Sequence, residues 1–369
     1  MSGDRHSARR HSVAVIPGDG IGIEVVPAAV AAVDAVAAVH GFTVRWTEYP
    51  WGSDHYRRHG RMMAVDGLDV LSRHDAILLG AVGTPDIPDD VTLWGLLIPI
   101  RRQFDQYVNL RPVRSMPGVR GPLRDANDID LVIVRENVEG EYSEIGGRFH
   151  RGRPEEMAIQ ESVFTRAGVA RVAGYAARLA GERRGGLTSA TKSNGIIHTM
   201  PFWDEVVAET VAASPGVALR KVLIDALAAE LVLRPERFDV IVASNLFGDI
   251  LSDLASALTG SIGLAASANL NPERKHPSLF EPVHGSAPDI AGKGIANPVG
   301  QIWSAALMLR HLGEEAAARA LLDAVDAALA AGVLTRDLGG NASTTDFVAA
   351  VVATITATAG TVADRSSGS

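Results

Sequence analysis

The chain has 369 residues, 47% of them hydrophobic, a formal net charge of -8 and no cysteine. That length and apolar content allow one large core or two ordinary ones, and the negative balance argues against nucleic acid or an anionic membrane as the main partner. Without cysteine there is no disulfide framework, thiol nucleophile or thiolate metal site, so any metal is held by oxygen or imidazole.

The first eleven residues carry arginines and histidines but no apolar signal-peptide core. Residues 1–11 and 361–369 read as flexible tails. No later run reads as long and apolar enough to span a bilayer, so a soluble cytoplasmic protein is expected. Short apolar runs at 13–16, 76–79, 131–134, 187–189 and 240–243 predict buried strands. Helix-length amphipathic stretches lie between them at 22–39, 163–179, 201–213 and 250–258, and the alternation predicts an α/β sheet with helical crossovers. The turn-rich, charged segment 145–160 reads as a surface loop or protruding arm, with a strand at 157–160. Ala-rich runs at 301–311, 314–331 and 345–358 predict a helical cover near the end.

Gly18-Asp19-Gly20-Ile21-Gly22 follows the first strand but does not complete a dinucleotide fingerprint, because the sixth position is Ile23. A tight strand-to-helix turn explains it better. Asp249 and Asp253 follow the strand at 240–243 and share one helix face, so two oxygen ligands converge in a way that suits a hard dication. Acids favoured by a helix N-terminus are the plainer reading. Arg101, Arg102, Arg111, Arg114 and Arg135 crowd a short part of an acidic chain; convergent guanidinium groups clamp small carboxylic acids through paired hydrogen bonds. Solvated charge is the simpler account of Arg102 and Arg114, but not of Arg135, which ends a buried-strand pattern. Tyr142 and Lys192 are candidate proton carriers. The loop 280–298 is rich in turn formers and low in charge. It offers backbone amides and apolar contact to an adenosine, with Asp289 placed to accept from a ribose hydroxyl. His284 has no partner at zinc-ligand spacing.

Together these segments resemble the β-decarboxylating dehydrogenases of 2R-hydroxy acids, the isocitrate and isopropylmalate dehydrogenase family, over roughly residues 13–358. The motifs that carry the resemblance are Asn245-Leu-Phe-Gly-Asp-Ile-Leu-Ser-Asp253, the 284–298 loop, Asn109-Leu-Arg-Pro112, Val134-Arg-Glu-Asn137 and Thr191-Lys-Ser-Asn194. Within the family, Trp51, Gly60-Arg-Met-Met63, Leu93-Trp-Gly95, Phe104-Asp-Gln-Tyr-Val108 and Asn269-Leu-Asn-Pro-Glu-Arg274 look most like the tartrate and D-malate branch.

The resemblance implies a two-domain α/β isopropylmalate-dehydrogenase-like fold, not a Rossmann fold, with a large sheet flanked by helices. Its large cofactor-binding domain would be residues 12–106 plus 264–360. Residues 107–263 would form a smaller dimerisation domain whose arm, 145–160, clasps a second copy. Arg101, Arg111 and Arg135 would bind the malate part of the substrate, and Asp225, Asp249 and Asp253 would hold Mg²⁺ or Mn²⁺. Lys192 would take the hydroxyl proton and Tyr142 protonate the product, with Lys192 and Asp225 reaching over from the partner of a homodimer. Asn194, His284, Gly285, Ser286, Ala287, Pro288, Asp289, Ile290 and Asn297 would bind NAD; Asp289 with Ile290 favours NAD over NADP because a carboxylate repels a 2′-phosphate. A requirement for a monovalent cation such as K⁺ is left open.

Trp94 lies one helical turn before Leu97, and its indole would fill the space a bulky substrate side group needs. That favours D-malate or tartrate over 3-isopropylmalate. Two positions depart from the family pattern: Val91 replaces a histidine, and Pro99 replaces a lysine in a helix that it should kink just before Arg101. Metal-dependent phosphoryl transfer is a rival class, but no P-loop pattern is present. A non-catalytic regulatory subunit is another; it predicts a lost ligand or proton carrier, and none is lost.

Overall fold

A computed structural model describes residues 9–123 and 128–366. Its strands are β1 (Arg9–Gly18), β2 (Phe42–Glu48), β3 (Ala76–Ala81), β4 (Val108–Arg114), β5 (Asp130–Glu136), β6 (Gly146–Phe149), β7 (Met157–Gln160), β8 (Gly186–Thr191), β9 (Ala218–Leu223), β10 (Val240–Ala243), β11 (Ala266–Leu270) and β12 (Ser278–Pro282). Its α-helices are α1 (Gly22–His40), α2 (Ser53–His59), α3 (Gly67–Leu71), α4 (Asp89–Thr92), α5 (Ile98–Gln103), α6 (Arg166–Glu182), α7 (Thr199–Ala212), α8 (Ile224–Leu233), α9 (Asn245–Leu258), α10 (Val299–His311), α11 (Glu315–Ala330) and α12 (Thr344–Ser366).

Ten strands form one sheet in the order β2-β1-β3-β12-β11-β4-β5-β10-β8-β9. The strands β2, β1, β3 and β12 are mutually parallel, and so are β5, β10, β8 and β9. Three antiparallel pairings in the middle, β12 with β11, β11 with β4 and β4 with β5, turn the second set against the first. This mixed sheet is flanked by helices and is not the all-parallel sheet of a Rossmann fold. β3 and β10 are buried along their whole length, which is why they read as continuous apolar runs.

β4 and β11 escape a reading by hydropathy because polar residues interrupt both, and Pro112 stands inside β4. Phe280–Pro282, expected to open the turn-rich loop, instead lie in β12.

Two boundary expectations and one on apolar runs need correction. Arg9–His11, expected in the N-terminal tail, start β1: they pair with Phe42–Val44, and Arg9 and His11 both bind Glu314. Residues 1–8 lie outside the described residues. At the other end α12 continues to Ser366, because an Ala/Thr/Val-rich run without proline has nothing to stop it; 367–369 lie outside the described residues. By length and composition Gly22–His40 could cross a membrane, contrary to expectation, but half of this helix is buried in the core, where Val25, Val33 and Val36 are fully covered.

β6 and β7 form a separate two-stranded hairpin that leaves Ile145, Phe149, Met157 and Ile159 exposed. An isolated hairpin is marginal by itself.

Candidate functional site

The site lies on the face of the sheet where its direction reverses. In register across β11, β4 and β5 stand Asn269, Asn109 and Arg135. Arg111 is the next same-face residue along β4. Asn109 Nδ2 donates to Ser267 Oγ and Asn269 Oδ1, and its own Oδ1 accepts from Arg111 Nε at 2.7 Å. Arg135 is 2% exposed, and Asn245 Oδ1 accepts from its Nε and Nη2. A buried arginine keeps its charge only with partners of this kind; burial first, then the neighbouring Arg111, pull its pKa down to about 10, so it stays protonated at neutral pH.

α9 lies back across these strands. It starts at Asn245, after Ser244, whose hydroxyl donates to Glu141, so Asp249 stands in its second turn and the plain reading of helix-end acids does not hold. A Cβ on Gly248 would come within 2.6 Å of Arg135 Cβ; the missing side chain is what lets helix and strand approach.

Asp249 Oδ1 then takes an ion pair from Arg135 and another from Arg111 Nη1 at 3.1 Å, while Tyr142 donates its hydroxyl to Oδ2 at 2.9 Å. Asp253, one turn on, lies 3.3 Å from Arg111 and is half exposed. Burial opposes ionisation of Asp249, but Arg135 and Arg111 outweigh it and hold the carboxyl below its usual range. Asp253 shifts the other way, raised by burial and by the charge of Asp249 against the pull of Arg111. Burial and Asp249 also raise Tyr142, which keeps its phenol protonated.

Arg101 arrives from α5. It is buried, pairs with Glu281 at 2.7 Å and lies close enough to act electrostatically on Asp249, Tyr142 and Arg135. Pro99 does not break this helix. A π-turn over Leu93–Leu97 precedes it, with Ile98 N–H bonded to Leu93 C=O, so Pro99 falls in the first turn of α5, where its missing N–H is least costly. Trp94 sits on the π-turn under the Arg102 guanidinium, 4.8 Å from the ring centre, and Leu97 packs beside the second core cluster. Arg102 donates on to Tyr142 C=O at 2.8 Å and pairs with Glu144. Arg114 points elsewhere and pairs with Asp326.

Lys192 and Asp225 pair with each other at 2.7 Å, with the Asp225 side chain 65% exposed. Among the described residues no three acidic or imidazole side chains converge at metal distance, so one chain does not bring Asp225 to Asp249 and Asp253. What one chain does assemble suits a hard dication only in part: two carboxylates one turn apart, one half open, fewer donors than the six such an ion takes.

The expected cofactor loop begins at the end of β12. Ile21 N–H donates to Ser286 C=O, and a Cβ on Gly20 would meet that oxygen at 2.0 Å. The Gly18–Gly22 segment is therefore a tight turn against which the loop packs. Asp19 fastens it by accepting from Ser53 N–H and Oγ and from Gly83 N–H.

Behind the loop an apolar cavity of about 300 Å³ is lined by Ile21, His284, Ala287, Ile290, Ile295 and Asn297, among others. His284 Nδ1 faces Gly285 C=O at 3.0 Å and so carries the proton, which leaves the buried Nε2 as an acceptor without a partner. An unfilled acceptor on an apolar wall fits an adenine amino group. Gly285, Pro288 and Asp289 are exposed at the loop, and Asn297 donates to Asp337 at 2.9 Å. Asn194 is not part of this cavity: it is exposed after β8, five strand positions from β12.

Asn245, Gly248, Ser252 and Glu281 hold the cluster together; the first three lie in the Asn245–Asp253 motif, but their roles do not show in it, since each acts through a partner more than a hundred residues away.

The sequence profile described as isocitrate/isopropylmalate dehydrogenase matches residues 12–351. A probable tartrate dehydrogenase/decarboxylase of Bacillus subtilis (strain 168) is 54% identical over 340 residues, 92% of this chain and 96% of that one. The D-malate dehydrogenase [decarboxylating] of Escherichia coli (strain K12) is 54% identical over 349 residues, 92% and 97% of the two chains. The tartrate dehydrogenase/decarboxylase of Pseudomonas putida is 53% identical over 361 residues, 95% and 98%. The crystal structure of isocitrate dehydrogenase from Methylococcus capsulatus superposes with a TM-score of 0.86 at 35% identity, covering 94% of this chain and 99% of that one. This chain belongs to the isocitrate/isopropylmalate dehydrogenase family and is a decarboxylating dehydrogenase.

Proposed function

We propose that the chain catalyses the metal- and NAD-dependent oxidative decarboxylation of a 2R-hydroxy acid, D-malate to pyruvate and CO₂ first, with tartrate as the nearest alternative. The observation that carries this reading is the convergence of Arg101, Arg111 and Arg135, from three separate elements, on Asp249 and Tyr142. Three guanidinium groups give a four-carbon diacid paired hydrogen bonds at both carboxylates. The names of the relatives support the same substrate class.

Asp249 and Asp253, with Asp225 of a second copy, would hold Mg²⁺ or Mn²⁺, which when bound supplies Lewis-acid stabilisation of charge developing on the substrate oxygen. NAD, when bound along the 284–297 loop, supplies the hydride acceptor. Lys192 accepts the 2-hydroxyl proton as C2 loses its hydride, and Asp225 steadies the ammonium that forms. The arginines hold the remaining carboxylate while the β-carboxylate leaves as CO₂. Tyr142 then returns a proton to C3, a task suited to a phenol kept protonated beside Asp249.

The same reading includes a homodimer with shared sites. Exposed apolar side chains cluster on the segments that carry or follow the catalytic residues, Ile196 and Ile197 after Lys192, Leu233 on α8 and Ile250 on α9, and on the β6–β7 hairpin as its clasp. Dividing the chain into a large domain (12–106 with 264–360) and a smaller one (107–263) belongs to it too, with the boundary between β11 and β4. The Trp94 indole, fixed by Arg102, narrows the substrate side and favours a small acid.

Initial rates with NAD and Mn²⁺ on D-malate, meso- and (+)-tartrate, 3-isopropylmalate and isocitrate test the proposal. D-malate or a tartrate should lead. A clear preference for 3-isopropylmalate would sink the Trp94 argument, and no NADH from any acid would revive a regulatory subunit. An Asp289→Lys variant that kept its NAD preference would count against the cofactor assignment.

A further inference from the structure

At the amino ends of β1, β3 and β12, the edge opposite the cofactor loop, lies a second cavity of about 400 Å³. Two segments bring cations to it, Arg10 on β1 and Arg274 with Lys275 before β12, and a third, α10, brings His311. Asp75 is the one acid on its wall, and its carboxylate already accepts from Ser12 N–H at 2.7 Å. Nearby Glu314 is taken by Arg9 and His11. Among the described residues Arg10, Arg274 and Lys275 have no ion-pair partner, in a protein whose net charge is -8.

The loop that presents them is held in a costly shape. Arg274 has φ +54°, a left-handed conformation that a residue with a long side chain rarely adopts. It is fixed by its N–H donating to Asn271 C=O at 2.9 Å and by Lys275 N–H donating to Asn271 Oδ1 at 2.8 Å. Strain maintained at exposed, unpaired cations points to a ligand. Burial and Arg274 hold the His311 pKa down at about 4, so this ring is neutral and adds an N–H donor without adding charge.

We propose that this cavity binds a phosphate-bearing anion with at least two charges, as a nucleotide or as free polyphosphate. Phosphate fits better than a carboxylate because donors converge from three directions, Arg10 on β1, Arg274 and Lys275 before β12 and His311 on α10, and each phosphoryl group offers three acceptor oxygens in a tetrahedral spread. Lysine, a point charge with rotatable donors, suits it as well.

The cavity is also wired to α5. Phe104 stacks on His276, Gln106 Nε2 donates to Pro277 C=O, Asn271 Nδ2 to Asp105 C=O, and Tyr107 to Glu273. These residues immediately follow the helix that carries Arg101. Occupancy therefore alters KM for the hydroxy acid, an effect that rests on Arg101 binding substrate, whereas binding itself does not.

Calorimetric titration of the full chain with tripolyphosphate, in low salt with EDTA, tests binding. Wild type should take one anion per chain, and Arg274→Ala with Lys275→Ala should weaken it by about tenfold or more, since two charge-assisted contacts are lost. The charge-conserving pair Arg274→Lys with Lys275→Arg should restore most of the affinity, which separates loss of charge from loss of fold. ADP binding that weakens by the same factor identifies a nucleotide site; ADP binding that the substitutions leave unchanged, beside weakened tripolyphosphate, identifies a polyphosphate site. No binding, tripolyphosphate binding unaffected by the double substitution, or binding of citrate alone would overturn the proposal. Binding without any change in KM would overturn only the coupling to Arg101.

Discussion

Asp249 is held on three sides by its own chain, by Arg135, Arg111 and Tyr142, whereas among the described residues Asp225 has Lys192 as its one side-chain partner and stands 65% exposed. The two acids are proposed to serve one reaction, yet only one is built into the core. A network of buried charges stabilises only when every member is satisfied, so the Asp249 side must be complete before anything binds. An exposed pair contributes little to stability and is free to exchange partners when a second surface arrives. The difference teaches that the Asp249 half of the site is part of the fold, while the Lys192–Asp225 pair is not tied into it, as the proposed sharing of the site between two copies requires.

The sharpest way to break the comparison is to remove one charge from each side. Arg135→Ala leaves the buried Asn245 without its partner and takes from Asp249 one of its three, so it should cost roughly 3 kcal/mol of stability and abolish turnover. Asp225→Ala should leave stability essentially unchanged, because its pair with Lys192 is exposed to solvent, while lowering kcat by about a hundredfold or more. Thermal melts and initial rates on both variants check this. Equal stability losses would erase the distinction.

A smaller effect is expected where helix meets strand. Gly248→Ala puts a Cβ 2.6 Å from that of Arg135 and forces α9 away from β5, at about 1–3 kcal/mol, with KM raised more than kcat is lowered. An unchanged KM would mean that the approach of α9 does not set the arginine positions.

The narrowest effect, seen only as a slope across a pH window, concerns Glu136, the neighbour of Arg135, which is almost fully buried. Burial raises its pKa from an ordinary 4.5 to about 7, against the Val138 and Glu139 N–H groups that favour its charge. Because the folded value lies above the unfolded one, the folded state holds a proton that the unfolded state has released across this range. Stability contributed by the neutral acid is full below about pH 4.5 and falls as pH rises through 7, by on the order of 3 kcal/mol at most. Glu136→Gln keeps the size and the acceptor, and should flatten the unfolding free energy between pH 4.5 and 7. A slope that survives the substitution belongs to other groups.

How much of this was legible follows from where each signal lies. Asp249 and Asp253 announce themselves by spacing after a buried strand, and Arg135 by ending an apolar run in a place where solvated charge does not belong. Both signals are local. The roles of Asn109, Asn245 and Glu281 are not legible, although the first two open recognisable motifs, because a polar residue in a strand or helix has many uses and their partners are set by sheet order. That order, with its three reversals at β12, β11, β4 and β5, depends on pairings that no single stretch encodes. Pro99 reads as a kink, but no residue type signals the π-turn before it, which places Pro99 in the first turn of α5 where its missing N–H costs least, and Arg101 still reaches Glu281.

The comparison reduces to whether the Lys192–Asp225 pair of one chain completes the Asp249 cluster of another. Co-expressing an Asp249→Asn chain with a Lys192→Met chain, each inactive alone, tests this by initial rate of NADH formation. If the site is shared, each mixed dimer holds one doubly damaged site and one fully native site, so activity should return to about a quarter of wild type at equal expression. Activity that stays at the level of the separate variants would show that each chain works alone and would contradict the account.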